Sequence, residues 1–208
     1  MLPSLMIIDD FLRDPLAFRA RALALDYDPA FKQGNYPGLL SSQPLPIDGL
    51  DEAVSKRTGV RLQAAAGTTH QHCRLTLKGD KGASGVHIDP CFYSGILYLS
   101  LPEHCRGGTD FFSHRPTGLE RVPQTEAGLF ASGYADINRL IEEVVNQDTL
   151  KPSRWEKTMT VPMRFNRLIL FSPWMFHNSA AAFGDRPANG RLVHLMFFAA
   201  APPASDTA

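Results

Sequence analysis

From His70 to Phe198 the chain is written largely in short runs where apolar and polar residues alternate. In the first, Gln71, Cys73, Leu75 and Leu77 fall on one side and His70, His72, Arg74 and Thr76 on the other. This is the period of two that a strand imposes. Val86–Asp89, Tyr93–Leu101, Thr109–His114, Trp155–Val161, Arg167–Phe171 and Arg191–Phe198 read as further strands, parted by Gly, Pro or Asn turns. So many strands after an initial helical portion predict an α+β, mainly β fold: an antiparallel sandwich or barrel with helices packed outside.

Leu5–Ile8 reads as a short strand. Asp14 is placed to cap a helix and Pro15 to open it, with Leu16, Ala20, Leu23 and Tyr27 spaced to form a buried face. Residues 33–46, which hold Pro37, Gly38, Pro44 and Pro46, read as a long loop, and a second helix is expected over about Leu50–Arg57, stopped by Gly59. Later, Ile137, Leu140, Ile141, Val144 and Val145 keep the spacing of an amphipathic helix. It forms an insertion of about residues 123–154 between sheet strands, and its flanks are expected to help cover the mouth of a site. Pro202 to Ala208 has the small, polar composition of a frayed tail. The length of 208 residues supports a single domain over 1–208, with its core at about 70–200.

Lys+Arg 21 against Asp+Glu 21 gives a formal charge of zero, which argues against partners bound by phosphate neutralisation or by attraction to anionic lipid. No nucleic acid and no membrane are therefore expected as partners. No run approaches the roughly 18 apolar residues of a membrane span, and the start reads as neither signal peptide nor anchor. Cys73, Cys91 and Cys105 are widely spaced and include no CxxC pair. They fit neither a disulfide framework nor a thiolate zinc site, so the expectation is a cytoplasmic protein with cysteines serving as buried hydrophobes. A chain this long needs no metal merely to fold. A metal, if bound, serves chemistry.

Of seven histidines, one sits in a compact ligand pattern, His87-Ile88-Asp89. Residues two apart on an extended chain point to the same side, so imidazole and carboxylate can converge on one ion. His177 follows an apolar strand and a Pro-containing turn, and Arg191 opens another largely apolar strand beyond it. Singly, each has an ordinary reading: a polar strand end, a hydrogen-bonded core histidine, an arginine snorkelling to the surface. Together, two histidines and a carboxylate make the facial triad of non-haem Fe(II) oxygenases, with open positions on the metal.

His-x-Asp, a distal His and then an Arg one strand later resemble the 2-oxoglutarate- and Fe(II)-dependent oxygenase superfamily. Gly95–Ser100 followed by Gly107-Gly108-Thr109-Asp110-Phe111-Phe112, and Asn166–Phe171 leading to His177, resemble its prolyl-4-hydroxylase-like members over roughly Cys73 to Phe198. The resemblance implies a double-stranded β-helix, a cupin-like jelly roll, with the N-terminal helices outside. It implies that His87, Asp89 and His177 ligate Fe(II), that 2-oxoglutarate chelates the ion, and that Arg191 grips its distal carboxylate. It also implies hydroxylation of a small molecule or of an amino-acid side chain, free or in a peptide, with release of succinate and CO2. Asp89 fills the position that halogenating relatives leave to halide. Ascorbate enters as a stimulant and a homodimer as an assembly to test.

The chain departs from that pattern in two places. His87 and His177 lie further apart than in a compact member, the surplus matching the 123–154 insertion. Lys78–Val86 lacks the tyrosine that usually helps hold the cosubstrate, so Tyr98 or Thr76 is the substitute expected. His70 and His72 read as a solvated strand edge. Two alternatives stand beside the oxygenase: a cupin-type metal protein that does not use 2-oxoglutarate and has no need of Arg191, and a non-catalytic jelly-roll binding module.

Overall fold

A computed structural model describes residues 2–31 and 36–202. It is mainly β, with every strand pair antiparallel. In chain order the strands are β1 (Leu5–Ile8), β2 (Leu39–Pro44), β3 (Leu62–Ala64), β4 (His72–Thr76), β5 (Tyr93–Tyr98), β6 (Gly108–His114), β7 (Trp155–Pro162), β8 (Leu168–Phe171), β9 (His177–Ser179) and β10 (Arg191–Ala200). The larger sheet runs β1-β8-β5-β10-β4-β2, with β3 paired to the end of β10, and the smaller runs β7-β6-β9.

Strand alternation separates the two faces of the larger sheet. Cys73, Leu75, Leu97, Leu168, Leu170, Leu192 and Met196 pack against helices α1 (Pro15–Leu23) and α2 (Leu50–Thr58) through Phe18, Ala22, Leu50 and Val54. Tyr98, Ile169, Phe171 and Val193 face the other way and meet Phe111 and Val161 of the smaller sheet. The space between the sheets is therefore filled with apolar side chains on one part of this face and opens as a cavity on another.

Asp14 caps α1 through Ala17 N–H, as its position predicts. The buried face differs, however: Phe18 and Ala22 go inside while Leu16 lies 61% exposed. The helix stops at Leu23, so the four-residue extrapolation to Tyr27 runs past its end. α2 ends as expected, with Gly59 at φ +70°, the left-handed conformation that suits glycine.

The region expected to be loop holds β2, hidden in sequence by its serines and Pro44 and stabilised by pairing with β4 across a bulge. Residues 33–35 of that expectation lie outside the described residues, as do residues 203–208 of the expected tail. Val86–Asp89 is not a regular strand; only His87 forms a bridge, with His177. Between β6 and β7 lie α3 (Glu126–Ala131), which carries no buried residue and left no amphipathic signal, and α4 (Ile137–Leu140), which continues as a π-helix over Ile141–Asn146. The apolar stripe behaves as read: Leu140, Val144 and Val145 are buried with Val86, Val122, Trp155 and Phe176, on the outside of the smaller sheet.

Candidate metal centre

His87 and His177 lie side by side because their backbones exchange hydrogen bonds, His87 N–H to His177 O at 3.0 Å and His177 N–H to His87 O at 3.1 Å. His177 opens β9, which β6 holds through the pair Phe111–His177. The segment before His87 is held by the insertion, where Val86 N–H donates to Thr149 O at 3.0 Å and Gly85 N–H to Thr149 Oγ1 at 3.0 Å. Asp89 N–H donates to Pro173 O at 3.1 Å, so the extended backbone from 85 to 89 carries both side chains to one point.

There the ligand atoms of His87, Asp89 and His177 lie within 4.8 Å of one another, the sole such group among the described residues. Asp89 Oδ2 is 3.3 Å from His177 Nε2, and Oδ1 is 3.9 Å from His87 Nε2. The other ring nitrogens decide the tautomers. His87 Nδ1 is 2.9 Å from Gly85 O and His177 Nδ1 is 2.8 Å from Met175 O. A carbonyl oxygen only accepts, so both Nδ1 atoms carry a proton, and both Nε2 atoms face Asp89. Burial, with His177 beside it, pushes the His87 pKa down to about 4, and so keeps that ring neutral. Burial works against the charge on Asp89, but the neighbouring histidines and a hydrogen bond from Ser94 Oγ hold its carboxyl below the usual range.

The triad lies on the wall of a cavity between the sheets. β4 contributes Arg74 and Thr76, β5 Ser94 and Ile96, β6 Thr109, and β10 Arg191, Val193, Leu195 and Phe197. Arg191 faces Thr76 across the β4–β10 pairing and is 4% exposed. Its Nη2 lies at a long 3.4 Å from Gly108 O, and its Nε is buried without a partner among the described residues. No carboxylate among the described residues pairs with it, and desolvation lowers its pKa. Gly107 and Gly108 permit this geometry: Gly107 has φ +59°, and a Cβ on Gly108 would lie 1.9 Å from Val161 O.

Thr76 lines the cavity and Tyr98 does not. Tyr98 is fully buried behind the wall, its hydroxyl 2.8 Å from Thr109 Oγ1, so only Thr109 reaches the cavity. Tyr36, from the loop before β2, packs against His87 with ring centroids 4.6 Å apart. Arg74 lies over the same ring at 5.3 Å. Sequence reading missed both, Tyr36 because it falls in a loop far from the motif and Arg74 because it was counted only as one face of a strand. His70 and His72 are not a solvated edge. Their Nδ1 atoms bond Phe197 O at 2.7 Å and Ser41 O at 2.8 Å.

The insertion lies at the His87 side of the cavity, where Val145, Asn146 and Thr149 form a second depression with Tyr36, His87 and Ile88. No helix among the described residues is long and apolar enough to cross a membrane.

The model of a family of unknown function, DUF6445, matches residues 3–198. No curated protein matches. Among solved structures, the selenomethionine-labelled Fe(II)/α-ketoglutarate-dependent dioxygenase TqaL aligns at 12% identity and a TM-score of 0.42, covering 98% of this chain and 84% of its own. HygX from Streptomyces hygroscopicus, solved with nickel, 2-oxoglutarate and hygromycin B bound, aligns at 15% identity and a TM-score of 0.42, covering 95% and 82%. Both are loose likenesses.

Proposed function

We propose that this chain, which belongs to the family of unknown function DUF6445, is an Fe(II)- and 2-oxoglutarate-dependent oxygenase built on a double-stranded β-helix. The observation that carries the reading is the pair of Nδ1–H···O=C bonds on His87 and His177, which turn both Nε2 atoms toward Asp89. Two neutral imidazoles and one carboxylate suit a ferrous ion and present no thiolate for O2 to oxidise.

The orphaned Nε of Arg191 supports the cosubstrate. A buried guanidinium donor without an acceptor is costly, and the distal carboxylate of 2-oxoglutarate supplies what it lacks. A cupin-type metal protein without 2-oxoglutarate has no use for this donor. In this reading Thr76, opposite Arg191, and Thr109, held by Tyr98, bond the same carboxylate; that both hydroxyl residues line the cavity supports it. When bound, the ion and 2-oxoglutarate supply the chemistry that couples cosubstrate and O2 to succinate, CO2 and an oxygen atom inserted into a substrate C–H bond. Ser94 keeps the Asp89 carboxylate oriented. Tyr36 packs against the His87 ring, and Val145, Asn146 and Thr149 of the insertion line the depression beside it.

The substrate is a small molecule or an amino-acid side chain, the setting is the cytoplasm, and ascorbate is a stimulant to test. Incubation with Fe(II), 2-oxoglutarate, O2 and ascorbate, which supplies the two electrons that a substrate C–H bond otherwise gives, should yield succinate from the wild type and none from His177→Ala. Equal succinate from both, or none from either, contradicts the reading.

A further inference from the structure

The cavity holds a second guanidinium that the oxygenase reading leaves idle. Arg74 is 8% exposed and lines the same cavity as the triad. No carboxylate among the described residues pairs with it. Its hydrogen bonds are two long ones from Nη1, 3.5 Å to Tyr36 O and 3.4 Å to Pro37 O. Among the described residues neither Nε nor Nη2 has an acceptor. Burial, partly offset by Tyr36 and reinforced by Arg191, lowers the Arg74 pKa to about 10, which leaves it charged at neutral pH.

The charges are unequal. Among the described residues, the cavity wall carries two guanidinium groups and the single carboxylate of Asp89. A divalent ion and a dianionic cosubstrate, one carboxylate of which goes to the ion and the other to Arg191, leave one positive charge unanswered, and it sits on Arg74. Beside it the wall is apolar, with Ile96, Val193 and Leu195. Tyr36 covers Arg74 from the other side, its loop brought against β4 by Gly38 at φ +87°, where a Cβ would lie 2.4 Å from Leu75 O.

We infer that Arg74, capped by Tyr36, is a substrate-anion site, and that the substrate is a monoanionic acid whose carboxylate it binds and whose apolar part lies on Ile96, Val193 and Leu195. This rests on the oxygenase reading. It names a specificity-determining residue, since Arg74 is the cation left over once the cosubstrate is held.

The test is calorimetry on protein loaded with Mn(II) and saturating 2-oxoglutarate, titrated with hexanoate and with hexanamide, which have similar tails and differ in charge. The wild type should bind hexanoate about thirty-fold or more tightly than hexanamide. Arg74→Gln should abolish that preference while 2-oxoglutarate affinity stays within about three-fold, which also shows that the variant is folded. Arg74→Lys should keep part of it. Equal binding of the two probes by the wild type, no binding of either, or loss of 2-oxoglutarate affinity in Arg74→Gln would overturn the assignment. Failure of the wild type to take up Mn(II) and 2-oxoglutarate at all would overturn the oxygenase reading itself, and this inference with it.

Discussion

His87 and His177, far apart in sequence, are each other's backbone partners: the N–H of each donates to the carbonyl of the other, at 3.0 and 3.1 Å. This bridge sets the ring centroids 4.3 Å apart, so neither imidazole depends on a flexible loop for its place. Metal ligands held by backbone pairing are pre-organised, and the cost of ordering them is met in folding rather than in binding.

Gly85 is the point where the bridge can be loosened without touching a ligand. A Cβ there would lie 2.0 Å from Thr149 O, the carbonyl that accepts from Val86. Gly85→Ala should displace the 85–87 segment, and with it the Gly85 carbonyl that fixes the His87 tautomer. Mn(II) affinity, read by electron paramagnetic resonance, should fall about 10–100-fold. An unchanged affinity would show that the insertion does not position His87.

Arg191→Met should separate cosubstrate from metal. The loss of one partner from a desolvated charge pair costs about 2–5 kcal/mol, or roughly thirty-fold to several thousand-fold in 2-oxoglutarate affinity. Mn(II) binding should stay nearly intact, because Arg191 is not a ligand. Calorimetric titration of each in turn checks both halves of the statement.

Stability should fall in mild acid. His194 is fully buried against Phe18, its Nε2 2.9 Å from Leu45 O, and desolvation pushes its pKa down to about 4. Between that value and about 6.5 the unfolded chain binds the proton and the folded one does not. The contribution is therefore complete above about pH 6.5 and lost as pH falls toward 4, by about 3 kcal/mol for this group. His87, held down in the same way, adds to the slope in the metal-free protein. Urea unfolding at pH 7 and pH 4.5 measures it, and His194→Gln should flatten the difference.

The insertion is anchored by a buried bond, His114 Nε2 to Asp148 Oδ2 at 2.9 Å, with Trp155 Nε1 donating to Asp148 O at 2.8 Å. His114→Ala leaves the carboxylate to Lys151 and Arg154. It should cost about 1.5–3 kcal/mol and speed proteolytic cleavage within residues 123–154. A cleavage pattern identical to that of the wild type would show that this contact does not fasten the insertion.

Where a local pattern decided the outcome, the sequence was legible. The alternation in His72–Thr76 became β4, and the stripe from Ile137 to Val145 became the buried face of α4 and its continuation. His87, Asp89 and His177 meet because a two-residue spacing and one distal strand suffice to place them. What failed depended on partners distant in sequence. Ser41 and Pro44 belong to a strand only because β4 lies beside them, and Leu16 is left outside because the core meets α1 at Phe18 and Ala22. Tyr98 sits one layer too deep, behind Thr109, while Tyr36 reaches His87 from a loop whose path no periodicity describes.

The most direct test of the central claim is visible absorption of the protein under anaerobic conditions with Fe(II), followed as 2-oxoglutarate is added. The wild type should develop a weak charge-transfer band that saturates with cosubstrate, Arg191→Met should need far more cosubstrate to reach it, and His177→Ala should show none. A band of full intensity in His177→Ala, or no band in the wild type at saturating Fe(II) and 2-oxoglutarate, would contradict the assignment of His87, Asp89 and His177 as the iron ligands.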